Sequence, residues 1–234
     1  QDSDYVFCIS QFTQNLLGRQ SVHARFHLLQ PPLSTPTLQD KTACKIALGY
    51  DPDDFVTLSV GRLIDRKGQH RVLEIIPRLQ ATIPNIHYDI VGNGPNKTNI
   101  QEAIVANNLE KRVRIYDRVD DMTLATHYGA ADVFVLLTEF IRPNDAEGFG
   151  IVFLEAGMHQ IPVIGGNSGG VAEAIINGRT GYLINPKSRA ALEAKIIALY
   201  NSSDLRTKLG RQARMRAITQ FNDTPSTDLI TLLS

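Results

Sequence analysis

Two stretches of this chain determine how it folds: Val133-Phe134-Val135-Leu136-Leu137 and Glu147-Gly148-Phe149-Gly150-Ile151-Val152-Phe153-Leu154-Glu155-Ala156. The first is an almost continuous apolar run, which is typical of a strand buried on both faces of a sheet. The second predicts a loop that turns into a helix, because its two glycines leave the turn free of side chains. A buried strand, a loop and a helix in this order form the unit from which parallel sheets are built.

The same alternation of apolar runs and helical periodicity continues through the chain from residue 55. Further strands are predicted at Phe55–Val60, His87–Val91, Val113–Tyr116, Ile161–Ile164 and near Tyr182–Ile184. One helix is predicted to carry the apolar positions 72, 73, 75, 76 and 79, and a second helix to end near Asn107. Further helices are predicted over Met122–Tyr128, 150–159, 171–176, 188–200 and 203–219. The pattern predicts an α/β fold: a doubly wound, Rossmann-like parallel sheet with helices on both faces.

In such a sheet, ligands bind outside the carboxyl ends of the strands. Four polar or glycine-rich segments follow predicted strands, namely Gly61-Arg62, Gly92–Gly94, Thr138–Gly150 and Gly165–Gly170. Because the carboxyl ends of parallel strands lie at one edge of the sheet, these segments are expected to meet there. The sequence therefore predicts a ligand site at that edge.

The first part of the chain has a different pattern. Residues 1–29 predict a buried strand starting near Tyr5, a helix over 11–20 and a strand over 25–29, and a proline-rich linker occupies 30–36. Proline disfavours regular structure around it, so we predict a domain boundary there. A main domain is then expected over 37–220 and a tail helix over 221–234. Since the chain starts with Gln just before a strand, we expect it to be a piece of a longer protein.

Composition argues against several classes of protein. The 234 residues carry 24 Lys and Arg against 24 Asp and Glu, so no basic surface for a nucleic-acid partner is predicted. No apolar run approaches the roughly 20 residues that span a bilayer. Cys8 and Cys44 are too few for a disulfide framework and lack the spacing of metal ligands. A reduced, cytoplasmic setting is the resulting expectation.

Two carboxylates flank the predicted helix start. Glu147 and Glu155 lie eight residues apart, and the helix start between them offers unpaired amides and a partial positive charge that suit a phosphate. A sugar attached to a diphosphate requires such a set, with one Glu on sugar hydroxyls, the other on ribose hydroxyls, and the amides on phosphate. For this spacing alone, a solvated amphipathic helix is the competing interpretation.

A basic loop follows the first predicted strand of the main domain, with the sequence Gly-Arg-Leu-Ile-Asp-Arg-Lys-Gly at 61–68. Arg62 and Lys67 are expected to reach one anion from opposite ends of the loop, although a solvated basic loop fits this stretch equally well. Gly92-Asn93-Gly94 resembles the start of a dinucleotide fingerprint, but Lys97 stands where the third glycine belongs, which disfavours a hydride-transfer enzyme. The glycine run at 165–170 suits close backbone approach to a ligand, and a simple loop is its alternative.

Taken in order, these motifs resemble one family. Gly-Arg-x4-Lys-Gly, Val-Gly-x-Gly, Glu-Gly-Phe-Gly-x4-Glu-Ala and Pro-Val-Ile-x4-Ser-Gly-Gly-x2-Glu are similar to the carboxy-terminal, donor-binding half of a retaining GT-B glycosyltransferase of family 4. The resemblance covers about residues 50–220. Residues 1–29 resemble the last strand–helix–strand of the family's amino-terminal domain, with Ser10-Gln11-Phe12-Thr13 matching one of its motifs. The resemblance implies that residues 1–36 are the end of an acceptor domain plus a linker, and that residues 37–220 form the domain that binds the nucleotide sugar.

The resemblance also implies a role for each matching residue. Arg62 and Lys67 would neutralise the donor diphosphate, and Glu147 would hold hydroxyls of the transferred sugar. The other donor-binding positions it implies are Gly61, Gly92, Gly94, Gly148, Phe149, Gly150 and Ile151, Glu155 for the ribose, and Asp117, Arg118 and Val119 beside the base. No metal and no cofactor beyond the donor is implied.

The implied function is transfer of a hexose-type sugar from a nucleotide-diphosphate sugar to a sugar, lipid or protein acceptor. The missing domain would hold most of the acceptor and would be the part that associates with a membrane surface, so this chain alone is expected to be inactive. A non-catalytic nucleotide-sugar module, a GT-B sugar-nucleotide epimerase and a Rossmann oxidoreductase are the alternatives. Four positions depart from the family: Asp117 replaces a glycine, Thr138 replaces a serine, and His159-Gln160 replace a small residue and a glycine. His127 and His159 are expected to have a packing or surface role rather than a catalytic one.

Overall fold

The computed structural model describes residues 5–19, 24–29, 33–141 and 145–221. The predicted tail helix therefore lies outside the described residues from 222 onward, as do 30–32 of the predicted linker.

Within that described part, six parallel strands form the main sheet in the order β5-β4-β3-β6-β7-β8. The strands are β3 (Phe55–Val60), β4 (Ile86–Val91), β5 (Val113–Tyr116), β6 (Val133–Leu136), β7 (Val163–Gly166) and β8 (Gly181–Ile184). Chain order reverses between β3 and β6, which lie side by side in the middle of the sheet with Thr57 opposite Val133. This is the strand order of a doubly wound nucleotide-binding sheet, and the fold prediction is confirmed.

Helices flank this sheet and bury both of its faces. They are α2 (Lys41–Ala47), α3 (Gln69–Leu73), α4 (Ile76–Leu79), α5 (Lys97–Ala106), α6 (Asp121–Ala130), α7 (Ile151–Met158), α8 (Val171–Ala174), α9 (Arg189–Tyr200) and α10 (Ser203–Phe221). Successive residues of β6 belong to different apolar clusters: Val133 and Val135 to one, Phe134 and Leu136 to the other. Since side chains alternate across a strand, the clusters lie on opposite faces, as predicted for a strand buried on both sides.

Prolines displace two of the predicted elements. The single helix expected over positions 72–79 is divided into α3 and α4, because Pro77 has no N–H to donate to the carbonyl of Leu73. Pairing of β7 starts at Val163 rather than Ile161, because the Ile161 amide bonds to Ala156 in the preceding helix and Pro162 has no amide hydrogen.

The predicted strand–helix–strand at the start of the chain forms β1 (Tyr5–Cys8), α1 (Gln11–Gly18) and β2 (Arg25–Leu28), and the two strands pair in parallel. The expectation that the first strand is buried is wrong for most of it. Tyr5 and Phe7 are 38% and 40% exposed, while Cys8 is 1% exposed. The two strands do not join the main sheet, so one face of β1 has no covering layer among the described residues.

Candidate functional site

The loops that follow β3 and β6 meet at the carboxyl edge of the sheet, where the chain order reverses. The Glu139 amide donates to the Arg66 carbonyl at 2.9 Å, which joins the two loops through their backbones. Arg71 adds an ion pair to Glu139 at 2.8 Å. Polar side chains from both loops are thereby held at the switch point, the place where doubly wound sheets bind ligands.

Glu147 lies between two cations at this point. Its Oε2 atom is 2.5 Å from the Lys67 ammonium and 2.9 Å from the Arg66 guanidinium. Arg66 also pairs with Asp145, with 2.8 Å between Nε and Oδ1. The Glu147, Lys67 and Arg66 side chains are only 13–14% exposed, so these pairs are shielded from water and stronger than surface ion pairs.

The structure brings Lys67 and Glu147 together but leaves Arg62 apart from them. The Arg62 side chain is exposed and makes no hydrogen bond or ion pair within the described parts of the chain. Arg66 takes the place next to Lys67, in the short 3-10 turn Asp65–Lys67. Sequence reasoning missed Arg66, because the motif assigns no role to this position and only the fold shows that it faces Glu147.

Two predicted glycine positions shape the loops behind these charges. Gly92 has φ +151°, and a Cβ there would overlap the carbonyl of Gly61. A Cβ on Gly94 would overlap the backbone of Leu63, whose amide donates to the Asn93 carbonyl at 2.9 Å. Both glycines therefore allow the loop after β4 to support the loop after β3.

The start of α7 presents free backbone donors beside Glu147. The amides of Phe149, Gly150 and Ile151 have no hydrogen-bond acceptor among the residues that the structure describes. Gly150 has φ +88°, a left-handed conformation that favours glycine. The Phe149 side chain is buried, with its ring centroid 5.5 Å from that of Phe221, and so it anchors the loop from below. Unpaired amides at a helix start suit an anion.

Glu155 lies one turn further along α7 and faces α6. Its carboxylate accepts a hydrogen bond from the Tyr128 hydroxyl at 2.9 Å. Burial, with the neighbouring Glu155 charge, raises the pKa of Tyr128 well above its ordinary value, so the phenol stays a proton donor. Glu155 also lines a cavity of about 220 Å³ together with Ser34, Asp121 and His159.

The three positions predicted beside the base follow β5. Asp117 forms an exposed ion pair with Lys97, 2.9 Å apart, and Arg118 is also exposed. Val119 packs against the apolar cluster that contains Val91 and Tyr128. Lys97, which replaces the third glycine of a dinucleotide fingerprint, is thus tied to the loop after β5.

The glycine run at 165–170 contacts the site loop itself. Cβ atoms on Gly169 and Gly170 would overlap the carbonyls of Glu147 and Gly148, and the Gly170 amide donates to the Glu147 carbonyl at 2.7 Å. The close approach that the sequence predicted for a ligand is made at these two glycines by the chain's own backbone. This packing supports the backbone of Glu147, whereas the cations contact its side chain.

His127 and His159 both pack, as expected. His127 is fully buried in α6, with Nδ1 3.0 Å from the buried carboxylate of Asp89, which also accepts a hydrogen bond from Tyr50. The His159 ring stacks on Tyr128 with centroids 5.0 Å apart. Burial, with a smaller effect of Arg214, lowers the pKa of His159 to about 4, so it is neutral at pH 7.

A doubly wound sheet with cations, a carboxylate and helix-start amides at its switch point is an α/β domain with polar groups where such sheets bind ligands. The chain belongs to the family of group 1 glycosyl transferases, whose model matches residues 40–216. The motif resemblance to this family is therefore confirmed.

One curated relative is a GDP-mannose-dependent alpha-(1-6)-phosphatidylinositol monomannoside mannosyltransferase of Mycolicibacterium smegmatis. It is 29% identical over 192 residues, which are 79% of this chain and 50% of that protein. The chain spans about half the length of the curated relatives it matches, with coverage from 38% to 56%.

Solved structures agree on the fold. Sucrose-phosphate synthase from Thermosynechococcus elongatus superposes with a TM-score of 0.81 and 26% identity, over 99% of this chain and 56% of that one. Anabaena HepE in complex with UDP and glucose gives a TM-score of 0.82 with 20% identity, over 99% of this chain and 63% of that one, and shows likeness of fold alone. Both are GT-B glycosyltransferases, so the predicted GT-B assignment holds.

Within the described residues, no helix has the length and apolar character needed to cross a bilayer.

Proposed function

We propose that this chain is the donor-binding part of a glycosyltransferase that moves a hexose-type sugar from a nucleotide-diphosphate sugar to an acceptor with retention of configuration. The observation that carries the proposal is the 2.5 Å contact between the Glu147 carboxylate and the Lys67 ammonium, beside the amides at the start of α7. This contact puts an acceptor for sugar hydroxyls next to a cation for phosphate. A sugar linked to a diphosphate requires both in neighbouring positions.

Charge development explains how such a site would act. When the bond between the anomeric carbon and the diphosphate breaks, negative charge grows on the leaving group. Lys67, Arg62 and the α7 amides stabilise that charge more in the transition state than in the ground state. Since Lys67 and the α7 amides lie beside Glu147 and the exposed Arg62 side chain is free to meet the same anion, we propose that transfer needs neither a metal nor a cofactor beyond the donor.

The remaining contacts fix the donor. Glu147 accepts hydrogen bonds from hydroxyls of the transferred sugar, and Glu155 does the same for the ribose. The loop 117–119 lies beside the base. In this proposal Glu147 selects for a donor that carries a sugar, Glu155 recognises the ribose, and the loop 117–119 contacts the base.

The relatives name two classes of donor. The mannosyltransferase is named for GDP-mannose, and the HepE structure holds UDP and glucose. A sugar, lipid or protein acceptor, and contact with a membrane surface, belong to the missing acceptor domain in this proposal. Cys8 and Cys44 are free and buried, which supports the reduced, cytoplasmic setting that we propose.

Calorimetric titration of this chain with UDP, GDP and ADP tests the donor site. One of the three is expected to bind, and both Glu155→Ala and Lys67→Ala are expected to weaken it. Glu110→Ala and Lys111→Ala are matched controls, because both residues are exposed just before β5, at the opposite edge of the sheet. Equal binding by the wild type and the two site variants would contradict the proposal.

Transfer is tested on the complete protein with radiolabelled nucleotide sugar. A product whose anomeric configuration matches that of the donor, read by NMR, is the expected result. An altered free sugar formed without acceptor would identify an epimerase, and binding without any turnover would identify a non-catalytic module.

A further inference from the structure

The carboxylate of Glu173 holds the start of α1, although the two lie far apart in sequence. Its oxygens accept hydrogen bonds from the backbone amides of Phe12, at 2.7 Å, and Gln11, at 2.8 Å. The first turn of α1 has no acidic residue of its own. Glu173 therefore supplies from α8 the negative charge that stabilises a helix start.

The same turn of α1 holds the site loop. Ser10, which is 2% exposed, accepts from the Thr13 amide and donates its hydroxyl to the Gly148 carbonyl at 2.5 Å. The Thr13 hydroxyl lies 3.4 Å from the same carbonyl. Gly148 directly follows Glu147, so these contacts restrain the backbone that carries the Glu147 carboxylate.

The support on the α8 side is itself fixed. The Arg216 guanidinium of α10 donates to the carbonyls of Glu173 and Ala174 at the end of α8. Glu173 thus contacts α1 from a backbone that is itself hydrogen-bonded to α10. A continuous set of contacts runs from Glu173 through Ser10 and Gly148 to Glu147.

We propose that Glu173 is a positioning residue for the donor sugar: by docking α1 it fixes the Gly148 carbonyl and so aims the Glu147 carboxylate at the sugar. The proposal rests on the function proposed above and adds a role for the Glu of the Ser-Gly-Gly-x2-Glu motif. Glu173 bonds the start of α1 and not Glu147 itself. Its effect on the sugar therefore passes through Ser10, which bonds the Gly148 carbonyl. Nucleoside diphosphate has no transferred sugar, so it senses Glu173 only through the Phe149 amide of the same peptide unit and is expected to lose less affinity than the nucleotide sugar.

The test compares binding of the nucleotide sugar with binding of the nucleoside diphosphate, in the complete protein. Glu173→Gln keeps the length of the side chain but turns one acceptor into a donor, so it loses one charge-assisted hydrogen bond. Such a loss corresponds to about a tenfold decrease in affinity for the nucleotide sugar and in kcat/KM. Affinity for the nucleoside diphosphate is expected to stay within about twofold. Glu110→Gln, an exposed Glu before β5, is the matched control.

A second variant separates positioning from general loss of structure. Ser10→Ala removes the hydroxyl that reaches Gly148, and it is expected to give the same selective loss. The double variant Ser10→Ala/Glu173→Gln is expected to lose no more than the worse single variant, because both act through one set of contacts.

Three results would overturn the proposal. One is equal weakening of the nucleotide sugar and the nucleoside diphosphate, and another is full retention of kcat/KM by Glu173→Gln and Ser10→Ala. The third is additive losses in the double variant. Failure of the proposed function is distinct from these, since the wild-type protein would then bind neither ligand.

Discussion

One carboxylate oxygen of Glu147 contacts two cations, which separates the role of these two basic residues from that of Arg62. Lys67 and Arg66 both reach Oε2, whereas Arg62 has its side chain in solvent. Arg62 is thus free to meet a ligand anion, while Lys67 must divide its charge between the ligand and Glu147.

Removal of either diphosphate cation should slow transfer. We expect Lys67→Ala and Arg62→Ala each to lose about 2–4 kcal/mol of transition-state stabilisation, measured as kcat/KM of the complete protein. Lys67→Ala should in addition reduce selectivity for the donor sugar, because Glu147 loses a partner, whereas Arg62→Ala should not. Full turnover by both variants would show that the diphosphate assignment is wrong.

Arg66 is expected to affect catalysis through its contact with Glu147. Arg66→Gln removes a charged partner 2.9 Å from the carboxylate, and loss of such a bond corresponds to about 1.5–3 kcal/mol. We expect kcat/KM with the nucleotide sugar to fall by the corresponding factor while affinity for the nucleoside diphosphate is kept. Arg78→Gln, in an exposed pair 3.6 Å from Glu193, serves as the control. An unchanged kcat/KM for Arg66→Gln would contradict this.

The end of α7 carries a strained residue. Gln160 has φ +60°, its amide bonds to the Gly157 carbonyl, and the Ile161 amide bonds to Ala156. These are the two hydrogen bonds of a Schellman motif, in which the left-handed position favours glycine. The family resemblance implies a glycine at this position, and a glutamine in the left-handed conformation costs about 1–2 kcal/mol.

Gln160→Gly should therefore stabilise the chain. We expect the free energy of unfolding in urea to rise by about 1 kcal/mol, because glycine adopts the left-handed conformation without strain. Gln160→Ala keeps the strain and should give no such gain. Equal stability of the two variants would show that backbone conformation at this position is not what limits stability.

Sequence periodicity predicted the bounds of an element where its apolar residues are the buried ones. Strands β3 and β5 coincide with the predicted ranges, because each is mainly apolar and is bounded by polar residues or glycine. Helix α2 was not predicted, because it buries a charged residue and exposes an apolar one. Lys45 is 4% exposed, held by the buried carboxylate of Asp132 at 3.0 Å, while Ile46 is 59% exposed.

The same limit applies to the site. Motifs indicated the positions of Lys67, Glu147 and Glu155, since each lies in a local pattern of charged residues and glycines. The pair Arg66–Glu147 spans 81 residues and the bond from Phe12 to Glu173 spans 161. Such contacts depend on how distant loops meet, and no local pattern specifies them.

Helix α10 joins the parts of the molecule that the site requires. Its residue Ala213 packs against Gly157 of α7, where a Cβ would be 3.3 Å away. Its last residue, Phe221, contacts the Phe149 ring, and its carbonyl accepts the Leu33 amide of the linker at 3.0 Å. One helix thus holds the linker, the site loop and α7. We therefore expect the free energy of unfolding of the chain to depend on the packing between α7 and α10.

His159 makes that region sensitive to acid. Burial, reinforced by Arg214, lowers its pKa to about 4 from an ordinary value of about 6.5. The folded chain therefore binds a proton less readily than the unfolded chain, so stability is complete above about pH 6.5 and is lost as the pH falls towards 4. The ring is partly exposed, so we expect about 1 kcal/mol of this loss between pH 7 and 5.

The variant His159→Gln isolates this contribution. Burial also lowers the pKa values of His70 and His87, so the wild type is expected to lose stability on acidification from all three rings. Glutamine does not titrate, so urea unfolding at pH 7 and pH 5 should show a smaller decrease for His159→Gln than for the wild type. Because His159 stacks on Tyr128, which bonds Glu155, the same protonation would loosen the packing around Glu155. Equal decreases in the two proteins would show that His159 does not link acid to the stability of this region.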